Sequence, residues 1–241
     1  MIEPTIESLL AAAPANGDRA LAAHAAPLLC FDTREPFLPA AAGYTVFRAS
    51  GPSPSFPRQI LLGENAHTPA TQAVEYAIWW DWDIGHLYEL EHVWVYLDDA
   101  GQVVNAEASW HGGYHTMRSG EAIPLQDGHV RLLAEPGKHA LAPAEDWFAV
   151  RRAETRAECL QPGRGGVWIT PLFEAAIHSK SPAADRDVQA YLARFAFEPT
   201  YQFAQTFQIG PEHLVPWPYL CEWIPRRVAW WVERLHAERA G

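Results

Sequence analysis

The segment Asp81–Leu97 constrains the fold of this chain more than any other, because it aligns carboxylates with core-seeking aliphatic side chains. It reads DWDIGHLYELEHVWVYL, which has the β-branched and aromatic content of a strand. Side chains two residues apart share one face of a strand, so Glu89 and Glu91 lie in line with Val93 and Val95. Burial of an unpaired carboxylate costs several kcal/mol or forces its protonation. We therefore expect a cation between the two glutamates.

Neighbouring strand ends supply further histidine and carboxylate groups. The turn that enters this strand contains Asp81, Asp83 and His86. The next strand ends at His111, and a third strand is followed by a loop that contains His139. Imidazole and carboxylate groups brought together at strand ends form the nitrogen and oxygen ligands that a divalent-metal site requires.

The sequence thus predicts one divalent metal ion. The predicted metal ligands are Asp81, Asp83, His86, Glu89 and Glu91. If the site is catalytic, the predicted catalytic groups are Glu89, His111 and His139. This ligand set fits Zn, Mn or Fe as well as Mg or Ca. The alternative interpretation is that the two glutamates are paired by arginines or lie on an exposed edge strand, and that the histidines are unrelated polar loop or core residues. His92 lies on the opposite face and is interpreted as a core histidine.

Strand signals are densest in the centre of the chain. Strands are predicted at 75–80, 90–97, 102–110 and 129–134, and the turn at 98–101 joins two of them in a hairpin. Short helices are predicted within 3–26, and Pro225–Ala240 is predicted to be a closing amphipathic helix. The predicted fold is mostly β (α+β), an antiparallel β-sandwich with peripheral helices. We expect a single domain over 1–241, with the sandwich at about 26–143 and the mixed remainder, 144–241, packed on it.

Composition limits the classes of partner. The formal net charge is −11, so a phosphate backbone or an anionic membrane surface would be repelled. Neither a nucleic-acid partner nor stable membrane insertion is expected. The three cysteines are widely spaced, and the N-terminus has no basic, apolar leader, so we expect a reduced, cytoplasmic protein. The oligomeric state is not predicted.

Two motifs resemble those of the necrosis- and ethylene-inducing peptide-like cytolysins. The hallmark of that family is Gly-His-Arg-His-Asp-Trp-Glu followed by His-Val, with a later His-Gly-Gly-Tyr. The corresponding segments here are GHLYELEHV at 85–93 and SWHGGY at 109–114. The motif residues retained in the first segment are Gly85, His86, Glu91, His92 and Val93.

A related group, the vacuolar protein sorting-associated protein 62 type, is similar at 26–39 (APLLCFDTREPFLP) and 137–143 (GKHALAP). Together the resemblances span residues 26–143. They imply a β-sandwich with a divalent cation at one end of the sheet. His86, Glu89 and Glu91 would take the places of the family's ligands, with an upstream carboxylate from Asp81 or Asp83. The cytolysins are secreted and disulfide-bonded, and since this chain shows neither sign, membrane attack is not transferred.

Three functions fit this pattern. The first is a metal-binding module for a small-molecule or glycan ligand, with aromatic residues around a shallow site. The second is a metal-dependent hydrolase of a small phosphoester, ester or amide, in which the ion activates water, one carboxylate is the general base, and His111 or His139 stabilises developing charge. The third is a structural metal in a closed shell, with function residing in a protein interface. Since the sequence contains no nucleophile motif, the leading hypothesis is a metal-binding β-sandwich protein of unassigned activity.

Overall fold

A computed structural model describes residues 2–14, 17–63 and 69–240. The α-helices are α1 (Ile6–Ala12), α2 (Gly17–His24), α3 (Arg152–Leu160), α4 (Pro182–Leu192) and α5 (Trp217–Ala240). The strands are β1 (Leu28–Phe31), β2 (Ala41–Phe47), β3 (Gly51–Pro52), β4 (Gln59–Ile60), β5 (Gln72–Trp82), β6 (His86–Leu97), β7 (Val103–Trp110), β8 (Gly113–Thr116), β9 (Leu125–Gln126), β10 (His129–Ala134), β11 (Leu141–Ala142), β12 (Gly166–Val167), β13 (Gln205–Gln208) and β14 (Leu214–Pro216). Short 3₁₀ turns lie at Glu145–Phe148, Pro171–Phe173, Ala193–Phe195 and Pro211–His213. The predicted class, mostly β with peripheral helices, is confirmed.

The larger sheet has the strand order β14-β2-β5-β6-β7-β8, with the short β12 paired to β6. Its centre is the long antiparallel hairpin of β5 and β6, in which Trp80 lies opposite Glu89 and Ile78 opposite Glu91. Residues directly opposite each other in an antiparallel pair point to the same face. Both glutamates therefore lie on the face that Ile78 and Trp80 line, as the alternation in the sequence predicts.

The smaller sheet has the order β11-β10-β1-β13, with β9 paired to β10. It covers the glutamate-bearing face of the larger sheet. Phe31 on β1 directs its ring edge against Trp80 on β5, with ring centroids 6.5 Å apart. Leu29 of the smaller sheet and Val93 of the larger sheet belong to one buried core. The two sheets thus form the predicted sandwich.

Helix α5 packs on the other face of the larger sheet. Trp79 and Trp223 meet edge to face, 6.2 Å between centroids. A side chain at Gly43 would meet the Trp217 ring at 2.8 Å, so glycine permits this close approach. The helix begins at Trp217, eight residues before the predicted start at Pro225. Pro225 lies inside the helix, where its missing N–H is tolerated because the preceding turns bury large apolar side chains on the sheet.

Residues beyond 143 contribute strands to both sheets. β13 pairs antiparallel with β1 of the smaller sheet. β12 pairs with β6, and β14 pairs with β2, both in the larger sheet. The segment 144–241 is therefore hydrogen-bonded into the sandwich at three places, rather than attached through a linker.

Candidate metal centre

The β5–β6 turn brings together Asp83, His86 and Glu89. Nε2 of His86 lies 3.6 Å from Oδ1 of Asp83 and 3.8 Å from Oε2 of Glu89. One ligand atom from each of the three residues lies within 4.8 Å of the other two. Ligand atoms bound at about 2.1 Å to one ion lie roughly 3–4 Å from one another. The spacing therefore fits three ligands of one divalent ion after a small adjustment.

The orientation of His86 is fixed by its other ring nitrogen. Nδ1 lies 2.8 Å from the carbonyl oxygen of Tyr88. This contact favours the tautomer that donates from Nδ1 and leaves the Nε2 lone pair for a metal, as is usual for histidine ligands. Burial lowers the pKa of His86, which favours the neutral, metal-binding form. Tyr88 adopts a φ of 60° and stacks on Trp79, which holds its carbonyl in place.

Asp83 is fully buried, and its two carboxylate oxygens differ in their hydrogen bonding. Oδ1 accepts hydrogen bonds from the Gly85 N–H at 2.5 Å and from Nζ of Lys138 at 2.9 Å. Within the described part of the chain, Oδ2 has no hydrogen-bond partner. Burial opposes ionisation, but His86 and Lys138 outweigh it and lower the pKa of Asp83. A buried, ionised oxygen without a partner is costly, and a metal ion would satisfy it.

At the two glutamates, burial outweighs the positive charges nearby. Burial raises the pKa of Glu89 well above its ordinary value, and Glu91 and Asp83 raise it further. Burial also raises the pKa of Glu91, to about 7, against opposing contributions from the Ser109 hydroxyl and His111. The Ser109 hydroxyl donates to Oε2 of Glu91. Burial and mutual repulsion disfavour the ionised forms of the two glutamates. A divalent ion bound beside them would relieve both penalties.

Asp81 lies outside this group. Its carboxylate accepts from Arg227 of α5, with Oδ2 2.7 Å from Nη2 and Oδ1 3.0 Å from Nε. Nε1 of Trp79 donates to the same carboxylate at 3.1 Å. The structure thus gives Asp81 a structural partner, whereas it places Asp83, two residues later, in the turn beside His86.

The β7–β8 turn of the larger sheet and the loops of the smaller sheet bring two further histidine–glutamate pairs to this end of the sandwich. Nε2 of His111 lies 2.6 Å from Oε2 of the fully buried Glu135. Nε2 of His139 lies 3.2 Å from Oε1 of Glu35, and the His139 ring stacks on Trp80 at 4.8 Å. Both predicted histidines therefore face carboxylates rather than the ion position defined by the three ligands.

Several residues at the site were not predicted as site residues. In the structure, Glu35, Glu135 and Lys138 lie beside predicted site residues. In the sequence, only their charge could have marked them as site residues. Trp168 stacks on His86 with centroids 5.7 Å apart and is 52% exposed. Nothing in the surrounding sequence marks this tryptophan as different from the many that form the core. His92 lies on the opposite face, stacked on Trp94.

The fold and the cluster define a β-sandwich protein with a histidine–carboxylate cluster at one end of its central hairpin. No family model matches the chain, and no curated protein matches it. Solved structures, in contrast, do match the chain. One is NLPPya in complex with glucosamine, 21% identical over 54% of this chain and 69% of that chain, with a TM-score of 0.35.

Another is Necrosis and Ethylene inducing Protein 2 from the causal agent of cocoa's Witches Broom disease. It is 20% identical, covers 66% of this chain and 93% of that chain, and has a TM-score of 0.35. The distant resemblance to this group, first indicated by the motifs, is confirmed. Likeness at this level carries no information about what the chain binds. Among the described residues, no helix is both long and apolar enough to cross a membrane.

Proposed function

We propose that this chain is a divalent-metal-binding protein whose ion is held by Asp83, His86 and Glu89, with Glu91 beside them. The observation that carries the proposal is the buried Oδ2 of Asp83, which lacks a partner among the described residues, in a carboxylate whose Oδ1 lies 3.6 Å from Nε2 of the oriented His86 imidazole. When bound, the ion would supply positive charge to the two glutamates and an electrophilic position for a ligand.

We further propose that the site binds a small-molecule or glycan ligand. The exposed Trp168 stacks on His86, so an aromatic surface adjoins the ion position. Aromatic rings present flat apolar area with little loss of side-chain entropy, and hydroxyl oxygens of a ligand suit a hard divalent ion. This arrangement favours a binding module over a purely structural metal, which would be closed to solvent.

The experiment that tests the metal site is elemental analysis of the purified chain after incubation with a mixture of divalent ions. We expect about one equivalent of one metal in the parent and none in the Asp83→Asn/Glu89→Gln double variant. The matched control is Asp99→Asn/Glu212→Gln, which makes the same exchanges at exposed positions and should keep the metal. Absence of metal from the parent, or its retention in the first variant, would overturn the proposal.

We also propose that residues 1–241 fold as one domain. The pairings of β12, β13 and β14 with strands of the first half support this proposal. Urea unfolding followed by tryptophan fluorescence and by far-ultraviolet circular dichroism should give one coincident transition. Two separated transitions would contradict it.

A further inference from the structure

Strand β12 lies against the turn that carries the proposed metal ligands. Within the described part of the chain it pairs with β6 alone, in parallel, beginning at His86. Just before β12, two glycine N–H groups donate to carbonyls of the β5–β6 turn, Gly163 to Ile84 at 2.9 Å and Gly165 to Gly85 at 2.8 Å. Residues 163–170 (the strap) therefore run alongside this turn and are hydrogen-bonded to it at several points.

The strap packs directly on the imidazole of His86. Trp168 stacks on this ring, with the two planes 27° apart. A Cβ at Gly165 would lie 3.3 Å from Cδ2 of His86, so the strap backbone also contacts the imidazole. Thr170 donates its N–H to the Tyr88 hydroxyl at 3.0 Å, and the Tyr88 carbonyl is the group that orients His86. The position of the strap therefore decides whether an aromatic ring adjoins the ion position.

An ion pair takes the place of a further strand at the outer edge of β12. A strand that is paired on one side leaves backbone N–H and C=O groups of its other edge in need of partners. The Val167 N–H donates to Oδ1 of Asp185 at 2.8 Å, and the Val167 carbonyl accepts from Nζ of Lys180. Nζ of Lys180 lies 3.3 Å from the same Oδ1. The two side chains thus hold the strap from the side opposite to β6.

Asp185 and the strap are in contact with no side chain between them. Gly166 has a φ of 60°, and a Cβ at this position would overlap the carboxylate of Asp185. Any change in this carboxylate therefore acts directly on the backbone of β12.

We propose that Asp185 is a positioning residue of the ligand site, an inference that rests on the proposed metal site and its aromatic surface. Asp185 keeps the strap in register on β6 and so keeps Trp168 over His86. Without this carboxylate the Val167 N–H loses its charged acceptor and Lys180 loses its counter-ion. The outer edge of β12 then opens to water, and the strap leaves the turn in a larger fraction of molecules. The ion keeps its ligands, but the aromatic ring beside it is lost.

Fluorine NMR of the full chain labelled with fluorotryptophan tests this inference, with Mn²⁺ as the probe ion. Replacement of single tryptophans by phenylalanine assigns the resonances. Bound Mn²⁺ broadens fluorine resonances close to it, so Trp168 and Trp80, which lies opposite Glu89, should both broaden in the parent. In Asp185→Asn, Trp168 should lose most of this broadening while Trp80 stays as broad as in the parent. The Mn²⁺ stoichiometry should be unchanged.

Two matched pairs of variants separate positioning from general destabilisation. Asp187 lies on the same helix as Asp185 but pairs with Arg239, so Asp187→Asn should lower stability and leave the Trp168 resonance broad. Gly166→Ala changes the same contact from the strap side and should narrow the Trp168 resonance. Gly120→Ala is its control, because Gly120 has a φ of 63° with nothing within 4 Å of its Cβ position.

The outcomes distinguish this inference from the metal site on which it rests. A Trp168 resonance that stays equally broad in Asp185→Asn would overturn the inference and leave the metal site standing. Narrowing of Trp80 together with Trp168 would also overturn it, because Asp185 would then support the metal ligands themselves. If Mn²⁺ broadened no tryptophan resonance of the parent, the metal site would fall, and this inference with it.

Discussion

Nζ of Lys138 lies 2.9 Å from Oδ1 of Asp83 and 3.5 Å from Oε2 of Glu158. The ammonium therefore neutralises one oxygen of Asp83, while the other oxygen, Oδ2, is buried without a hydrogen-bond partner among the described residues. Burial opposes the charged form of Lys138, but Asp83 and Glu158 outweigh it and raise the pKa of the ammonium. Lys138 and the proposed ion thus share one carboxylate and repel each other.

Replacing Lys138 with methionine should tighten metal binding and weaken the metal-free fold. Loss of a positive charge bound to the same carboxylate as the ion should raise the affinity roughly tenfold or more. The metal-free protein should lose about 1–3 kcal/mol, because Asp83 is left buried with less compensation. Titration calorimetry and urea unfolding in chelator measure the two effects. Arg48→Met removes an exposed partner of Asp18 and should do neither. Weaker binding in Lys138→Met would mean that the lysine orients Asp83 rather than competing with the ion.

The metal-free protein should lose stability as the pH rises from about 4.5 to about 7. In this window folded Glu91, whose pKa burial raises to about 7, holds a proton that the unfolded chain, with an ordinary value of 4.5, has released. Since the folded state binds more protons, its free energy of unfolding falls with pH, by about 3 kcal/mol at most. Urea unfolding in chelator at pH 4.5 and pH 8 measures this slope. Glu91→Gln should flatten it, whereas the exposed Glu212→Gln should not; an unchanged slope in Glu91→Gln would contradict the assignment.

The fold and the clustering of Asp83, His86 and Glu89 were predictable where local patterns decide them. Two-residue alternation fixes the face of Glu89 and Glu91, because the pleat of a strand allows no other arrangement. The clustering of Asp83 with His86 follows from the tight turn at Gly85. These relationships act within ten residues, so the sequence alone carries them.

Relationships between distant segments were not predictable in the same way. Asp81 and Asp83 are two residues apart, and alternation would put them on one face, but β5 ends at Trp82 and the chain turns at Asp83. Asp81 instead meets Arg227, 146 residues later, through the packing of α5. Glu35 reaches His139 across 104 residues for the same kind of reason. Which charges pair across the sandwich depends on how layers pack, and no local period encodes it.

Asp81→Asn and Asp83→Asn should therefore have opposite consequences. Asp81→Asn leaves the buried Arg227 with Glu3 as its acidic partner within the described part of the chain, so the free energy of unfolding should fall by about 2–3 kcal/mol. Its metal content should equal that of the parent. Asp83→Asn should lose the metal. Elemental analysis and urea unfolding of both variants in parallel provide the measurement, and release of metal from Asp81→Asn would place that carboxylate back in the site.

The loop that carries Lys138 and His139 should require glycine at position 137 for two reasons: its positive φ and the lack of space for a side chain. Gly137 has a φ of 70°, and a Cβ there would meet Ile84 at 2.8 Å and Sγ of Cys159 at 3.1 Å. Gly101 has a similar φ of 75° with nothing within 4 Å, so Gly101→Ala isolates the conformational cost, about 1 kcal/mol. Gly137→Ala should cost about 2 kcal/mol more, because its methyl group overpacks the turn.

The same clash should displace Lys138 from Asp83, since Ile84 is the neighbour of that aspartate and donates its N–H to the Gly137 carbonyl at 2.8 Å. We therefore expect Gly137→Ala to change metal affinity, whereas Gly101→Ala leaves it at the parent value. Thermal unfolding and metal titration of the two alanine variants test both parts. Equal losses of stability in Gly137→Ala and Gly101→Ala would show that the turn at Gly137 accommodates the methyl group without strain. An unchanged metal affinity in Gly137→Ala would show that the loop and the ion site move independently.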